Sequence, residues 1–155
     1  MPIDIPETLS TLQETGLRLL AAALLGALLG IDREVKDKPL GLRTNMLVAI
    51  GACSFGAMAF DLAQLFRQQQ DLGHVDPARV IEGIIGGIGF LGTGAIIQSR
   101  GSVVGATTGA TIWVVGAIGL ACGFGLYLHA TLVALVSFFV LSILGFITRR
   151  MSRAE

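Results

Sequence analysis

The stretch GSVVGATTGATIWVVGAIGLACGFGLYLHATLVALVSFFVLSILGFIT, residues 101–148, runs for 48 residues without a single Asp, Glu, Lys or Arg. As α-helix it would extend about 72 Å, enough for two crossings of a hydrocarbon layer roughly 30 Å thick. A water-soluble fold has no use for such a run. The whole chain agrees: 53% of its residues are apolar and 14% charged, with a mean hydropathy of +0.75, where soluble domains carry about a quarter charged residues. The 21 glycines sit inside Leu/Ile/Val/Ala runs rather than in polar tracts. That is their place in membrane helices, whose backbones approach closely at small residues.

Working outward, the pattern predicts an all-α membrane protein, a compact bundle of about five glycine-rich transmembrane helices. The expected segments are 9–31, 45–66, 79–98, 103–122 and 126–148, forming a single domain that ends in a basic tail, 149–155. The first segment is uncharged only from Leu19 to Ile31, too short to span, so Arg18 must lie within its helix or snorkel to its end. The third is the weakest, because its glycines disfavour a continuous helix; a four-crossing chain would make it re-entrant.

Five crossings put eight Lys/Arg residues on one side (33, 36, 38, 43, 100, 149, 150, 153) and three on the other (18, 67, 79). The asymmetry predicts a chain with its N-terminus outside and its C-terminus in the cytoplasm. Asp4, Glu7 and Glu14, with no basic n-region, argue against a cleavable signal. Cys53 and Cys122 each stand alone in an apolar segment and read as small buried residues. Net charge is zero and no basic run exists, so nucleic acid is not an expected partner. Neither a cofactor nor a metal site is expected, since His74 and His129 lack any ligand spacing.

Three small-xxx-small pairs, Gly26/Gly30, Ala52/Gly56 and Gly105/Gly109, allow close helix contact, within the bundle or in a homo-oligomer. Gly87-Ile-Gly-Phe-Leu-Gly92 matches G-x-G-x-x-G, but no acidic residue lies between Glu82 and Glu155, where a dinucleotide site needs one. Crowding at a helix crossing, or an unwound stretch lining a polar cavity, is the better account.

Two groups of charges sit where membrane segments end. Asp32, Arg33, Glu34, Lys36, Asp37, Lys38 and Arg43 make up seven of the chain's 22 charges, with i,i+4 pairs at Asp32–Lys36 and Glu34–Lys38. They read either as a solvated, topology-setting loop or as a functional cluster. The turn Pro39–Asn45 favours the cluster by aiming Arg43, Thr44 and Asn45 back at it. Arg33 or Arg43 is expected to grip Asp32 or Glu34 with its planar fork. On the outer side Arg18 is expected to pair with Asp61, Asp76 or Glu82, while Arg79 and Glu82 at i,i+3 form either a structural pair or part of a functional set. Within the fourth segment, Thr107, Thr108 and Thr111 either bond to helix carbonyls or line a polar path. Trp113 lies near mid-segment, away from an interfacial belt.

Read together, these blocks resemble the MgtC/SapB family. Gly30-Ile-Asp-Arg-Glu-Val-Lys-Asp-Lys-Pro-Leu-Gly-Leu-Arg-Thr-Asn45 is similar to its signature G-(L/I)-(E/D)-R-E-x(3)-(K/R)-P-x-G-L-R-T. Asp76-Pro-Ala-Arg79 and Gly87–Gly94 resemble its D-P-x-R and G-I-G-F-L-G-x-G motifs. Gly105–Trp113 and Ala117–Gly123 resemble G-L-T-T-A-A-x-x-W and A-I-G-L-A-x-G. Asn45 stands where many members have His, and Glu82 where some have Gln. The chain ends at Glu155, so the resemblance implies a short form without the soluble domain that longer members carry.

The resemblance also implies location in the bacterial inner membrane and a non-enzymatic regulator, linked to magnesium limitation and virulence, that acts on another integral membrane protein such as the F-type ATP synthase. Its functional candidates here are Asp32, Arg33, Glu34, Lys38, Arg43, Thr44, Asp76, Arg79, Thr107, Thr108 and Trp113. The alternative is a small ion transporter or channel. A continuous polar path on facing helices would favour transport, and charge pairs sealed by apolar layers would favour a binding module.

Overall fold

The computed structural model describes residues 5–68, 76–99 and 102–145. They form five helices: α1 (Ile5–Val35), α2 (Leu42–Gln68), α3 (Pro77–Gly94), α4 (Ala106–Gly123) and α5 (Tyr127–Phe139), the last continued by a π-helical turn, Val140–Leu144. A short antiparallel hairpin, β1 (Ile97–Ser99) and β2 (Ser102–Val104), joins α3 to α4. Arg100, His74, residues 146–148 and the basic tail 149–155 lie outside the described residues.

Each expected segment is a helix, and the boundaries move for local reasons. α1 reaches one turn further at both ends, which places Arg18 well inside it. It stops because Asp37 adopts a left-handed conformation (φ 48°). Asp37 N–H then donates to Glu34 O and Lys38 N–H to Arg33 O, the paired bonds of a Schellman cap, with Pro39 barring any continuation. The expected helix over 79–98 ends at Gly94, and the one expected from 103 starts at Ala106. Between them Ile97 pairs with Val104 and Gln98 with Val103, β-branched residues around a turn preferring strand to helix. α3 itself is continuous through Gly87–Gly92, so the glycine motif is not an unwound loop.

α4 is the centre of the bundle and packs on the other four helices, most extensively on α2. Glycines set those contacts. A Cβ at Gly119 would run into the carbonyl of Ala49, and one at Gly123 into that of Cys53. Gly92 and Gly109 face each other where α3 crosses α4. On the other side of α2, a Cβ at Gly26 would meet Asn45 O at 2.9 Å, and one at Gly30 would meet Leu42 Cα at 2.7 Å. The three small-residue pairs therefore serve contacts within the chain.

Small side chains make up much of the core, Ala22, Ala49, Cys53, Cys122, Ala130 and Ala134 being fully buried with Leu29, Ile112, Val115 and Ile118 among them. Large ones such as Leu24, Leu47, Phe90, Leu128 and Val136 point outward. In water this arrangement would be inside out; in lipid, where close van der Waals packing replaces the hydrophobic effect, it is the expected one. Four helices, α1, α2, α4 and α5 with its π turn, are long and apolar enough to cross a membrane. α3, 18 residues long and carrying Arg79 and Glu82 in its first turns, is not among these four. It nevertheless lies antiparallel along α4, from Gly92 against Gly109 to Ile81 and Ile84 beside Leu120 and Phe124. The chain is a multi-pass membrane protein.

Candidate functional site

The polar groups gather at two ends of the bundle. At the first end α1 finishes, α2 and α4 begin, and α5 runs into its π turn. Arg33 is 3% exposed and donates to neutral acceptors: Nε and Nη2 to Pro39 O (3.2 and 3.0 Å), Nη2 also to Thr108 Oγ1, and Nη1 to Thr111 Oγ1 (3.4 Å). Thr111 sends its own proton to Thr107 O at 2.7 Å, which leaves lone pairs for the arginine. Arg33 thus ties the α1–α2 corner to the first turns of α4.

Asp32 next to it is held from α1 and from the π turn. Lys36 Nζ donates to Asp32 Oδ1 at 2.5 Å and to Leu141 O at 3.2 Å, and Ser142 Oγ donates to the same carboxylate oxygen at 2.6 Å. Glu34 turns the other way, and its Oε2 accepts from Leu42 N–H at 2.9 Å. A carboxylate from α1 so caps the N-terminus of α2, where negative charge is favoured. A Cβ at Gly41 would displace that carboxylate from its bond to Leu42 N–H. Asn45 is fully buried, and its Nδ2 donates to Leu40 O (2.7 Å) and Gly41 O (2.8 Å). Asp32, Arg33, Lys36, Lys38, Thr107 and Thr108 line a cavity of ≈ 390 Å³ that is walled elsewhere by Val103–Ala106, Leu141 and Gly145.

The second end centres on Arg18, which is 7% exposed. Its Nη1 donates to Gly123 O at 2.9 Å, its Nη2 pairs with Glu14, and its guanidinium lies 5.4 Å from the Phe60 ring centroid. Between the ends, Ala22, Leu29, Ala49, Cys53, Val115, Ile118 and Cys122 form a layer with no exposed surface. Among the described residues no cluster of His, Cys, Asp or Glu could hold a metal ion.

With this geometry established, comparison with known proteins is decisive: the family model described as MgtC family matches residues 19–150. The chain belongs to the MgtC family. Among the relatives of this MgtC-family chain is protein SapB of Bacillus subtilis, 38% identical over 115 residues, covering 74% of the chain and 49% of SapB. Protein MgtC of Brucella abortus is 38% identical over 132 residues, covering 85% of the chain and 50% of that protein. Protein MgtC of Salmonella typhimurium is 41% identical over 114 residues, covering 74% and 45%. The chain spans about half the length of the curated relatives it matches. No solved structure matches it.

For this MgtC-family chain the first-end residues do come together, but not in the expected pairs. Neither Arg33 nor Arg43 grips Asp32 or Glu34: Arg33 takes carbonyl and hydroxyl oxygens, and Asp32 goes to Lys36 and Ser142. The reason is direction. Arg33 faces α4, Glu34 faces the start of α2, and Arg43 is exposed on α2's outer side. Lys38 and Thr44 stay at the periphery, and the Glu34–Lys38 pair is absent because the helix has already ended. The outer-side set does not assemble. Arg18 takes its own neighbour Glu14, whereas Asp61, Asp76, Arg79 and Glu82 are all exposed, Asp76 capping α3 through Ala78 N–H at 2.9 Å. Trp113 is half exposed beside Ile81, Ile84 and Ile88 of α3.

Three participants carry no clear sequence signal as site residues: Ser142, the Leu141 carbonyl and the Gly123 carbonyl. Lys36 was legible from its i,i+4 spacing to Asp32, but its second bond to α5 was not.

Proposed function

We propose that this chain is a non-enzymatic regulator of the bacterial inner membrane that acts by helix contact on another integral membrane complex, with the F-type ATP synthase as the leading candidate. Its N-terminus lies outside and its C-terminus in the cytoplasm, following the excess of Lys and Arg at the first end, and its activity is linked to magnesium limitation and virulence. The observation that carries the reading is the sealed apolar layer. Arg18 and Arg33 are fifteen residues apart on one helix, about 22 Å along its axis. Each is bonded at its own end, and the cluster of Ala22, Leu29, Ala49, Cys53, Val115, Ile118 and Cys122 between them is apolar, with the buried Asn45 beside Gly26 and Gly30 on the Arg33 side of it. Transport would require polar groups to continue through that layer.

A place for a partner helix exists on the opposite face. α2 and α3 leave an apolar groove of ≈ 480 Å³ between them, floored by Gly51, Ala52, Gly83 and Gly87. Gly83, Gly86 and Gly87 have open space where a Cβ would stand, so a second helix could approach their backbone closely.

Two measurements test the proposal. Added to inverted membrane vesicles, the chain is expected to lower ATP-driven proton pumping, and Gly83→Leu with Gly87→Leu should remove the effect while the bundle stays folded. In liposomes of the purified chain, magnesium and proton flux should not exceed the leak of empty vesicles. Flux above that leak would replace this reading with the transporter.

A further inference from the structure

We propose that the first-end cavity binds a phosphoryl anion, either a phosphate monoester or diester from solution or the phosphate of an anionic lipid headgroup. Its wall carries three cations, Arg33, Lys36 and Lys38, against one carboxylate, Asp32. That carboxylate is already occupied by Lys36 and Ser142. Arg33 is the telling residue. It is almost wholly buried, yet among the described residues it meets only carbonyl and hydroxyl oxygens, and Nη1 has a single long contact of 3.4 Å. A permanently charged guanidinium removed from water is normally matched by a carboxylate or phosphate. Among the described residues no carboxylate bonds it directly; the nearest, Asp32, acts on it only through space and is itself bonded to Lys36 and Ser142. Lys38, exposed at the same wall, has no side-chain partner among the described residues.

The rest of the wall suits the same ligand. α4 begins on this cavity at Gly105, whose left-handed φ of 90° lets the chain turn sharply from the hairpin, with no side chain capping the helix. Its first turn therefore adds backbone N–H groups and the positive end of the helix dipole to the three cations. A tetrahedral anion, with oxygens on every side, meets an arginine fork, a lysine and a helix N-terminus together better than a planar carboxylate does. The volume of ≈ 390 Å³ exceeds what a bare phosphate needs. Val103 and Val104, both exposed, and Leu141 make the remaining surface apolar, which accommodates a substituent on the phosphate.

Binding is measured on the purified chain without any partner, so its outcome is separate from the regulatory reading. Thermal melting in zwitterionic detergent is followed with sodium phosphate or glycerol 3-phosphate, against sodium chloride at equal ionic strength. It is then repeated in phosphatidylcholine nanodiscs with and without phosphatidylglycerol. A rise in melting temperature with the soluble anions identifies a solution ligand; a rise with phosphatidylglycerol alone identifies the headgroup. Lys38→Gln, at an exposed position that leaves the fold intact, should weaken the effect about tenfold, the usual consequence of losing one charge-assisted hydrogen bond. Arg33→Lys, which keeps the charge but not the fork, should weaken it further. No rise with any of the three probes, or a rise undiminished in Lys38→Gln, would overturn the proposal.

Discussion

Thr108 tests how much the buried arginine depends on its neutral partners. Its hydroxyl accepts from Arg33 Nη2 in a fully covered contact between α1 and α4. Thr108→Val has nearly the same shape but leaves a charged N–H group with one acceptor fewer. The expected loss is about 1–3 kcal/mol of stability, read as a lower melting temperature in detergent, with Thr108→Ser close to the unsubstituted protein. Equal melting of the valine and serine variants would mean that the hydroxyl is not an acceptor. The same geometry changes the reading of the family signature. Glu34, Gly41 and Asn45 build the corner between α1 and α2, while Asp32, Arg33, Lys36 and Lys38 are left to line the cavity. A single run of sequence thus holds two kinds of residue, some that make the turn and some that present charge beside it.

Among the helices, the glycines divide according to whether a neighbouring backbone is present. Gly119 lies against the carbonyl of Ala49 across the α2–α4 crossing, whereas Gly86 on α3 faces open space. Gly119→Ala must push two central helices apart, an overpacking that costs about 1–3 kcal/mol. Gly86→Ala meets nothing and gains helix propensity, so a change between neutral and about 1 kcal/mol more stable is expected. Melting the two variants side by side in detergent checks the contrast. Similar losses at both positions would mean that α3 is more closely covered than its open glycines indicate. α5 behaves differently from both. Ala130 and Ala134 are its buried positions, and its hold on the bundle is completed by polar bonds from α1 to Leu141 and Asp32 to Ser142. This helix is packed along its length through those alanines and fastened at its end by the polar bonds.

For the molecule as a whole, the question is which side each connection occupies. The end of α1, the start of α4 and the π turn after α5 share one end through Arg33–Thr108 and Lys36–Leu141. Leu126 and the start of α3 share the other, beside Phe124. Reporter fusions after Ser102 and after Gly145 should therefore report one side, the cytoplasm, and fusions after Asp76 and after Gly125 the opposite side. If the fusions after Asp76 and Ser102 agreed with each other, α3 would not cross the bilayer.

The helical bundle, membrane residence and family were all legible in the sequence. They rest on local quantities: the length of uncharged runs, the placement of glycine, and ordered motifs such as Gly30–Asn45. The turn from Pro39 into α2 and the Asp32–Lys36 pair were legible for the same reason, since both are settled within one or two turns. What needed the tertiary structure was every choice among partners distant in the chain. Charge alone offered Arg33 a carboxylate next door, yet the side chain leaves α1 toward α4 and finds Thr108, 75 residues away. Arg18 was offered three distant acids and takes Glu14 one turn back, because Asp61, Asp76 and Glu82 all point away from the bundle. Coulomb attraction is blind to direction, and a helix aims each side chain within a narrow cone. Which charges meet is therefore decided by how the helices are rotated against one another. That rotation is set by where glycines such as Gly26, Gly119 and Gly123 let the backbones touch.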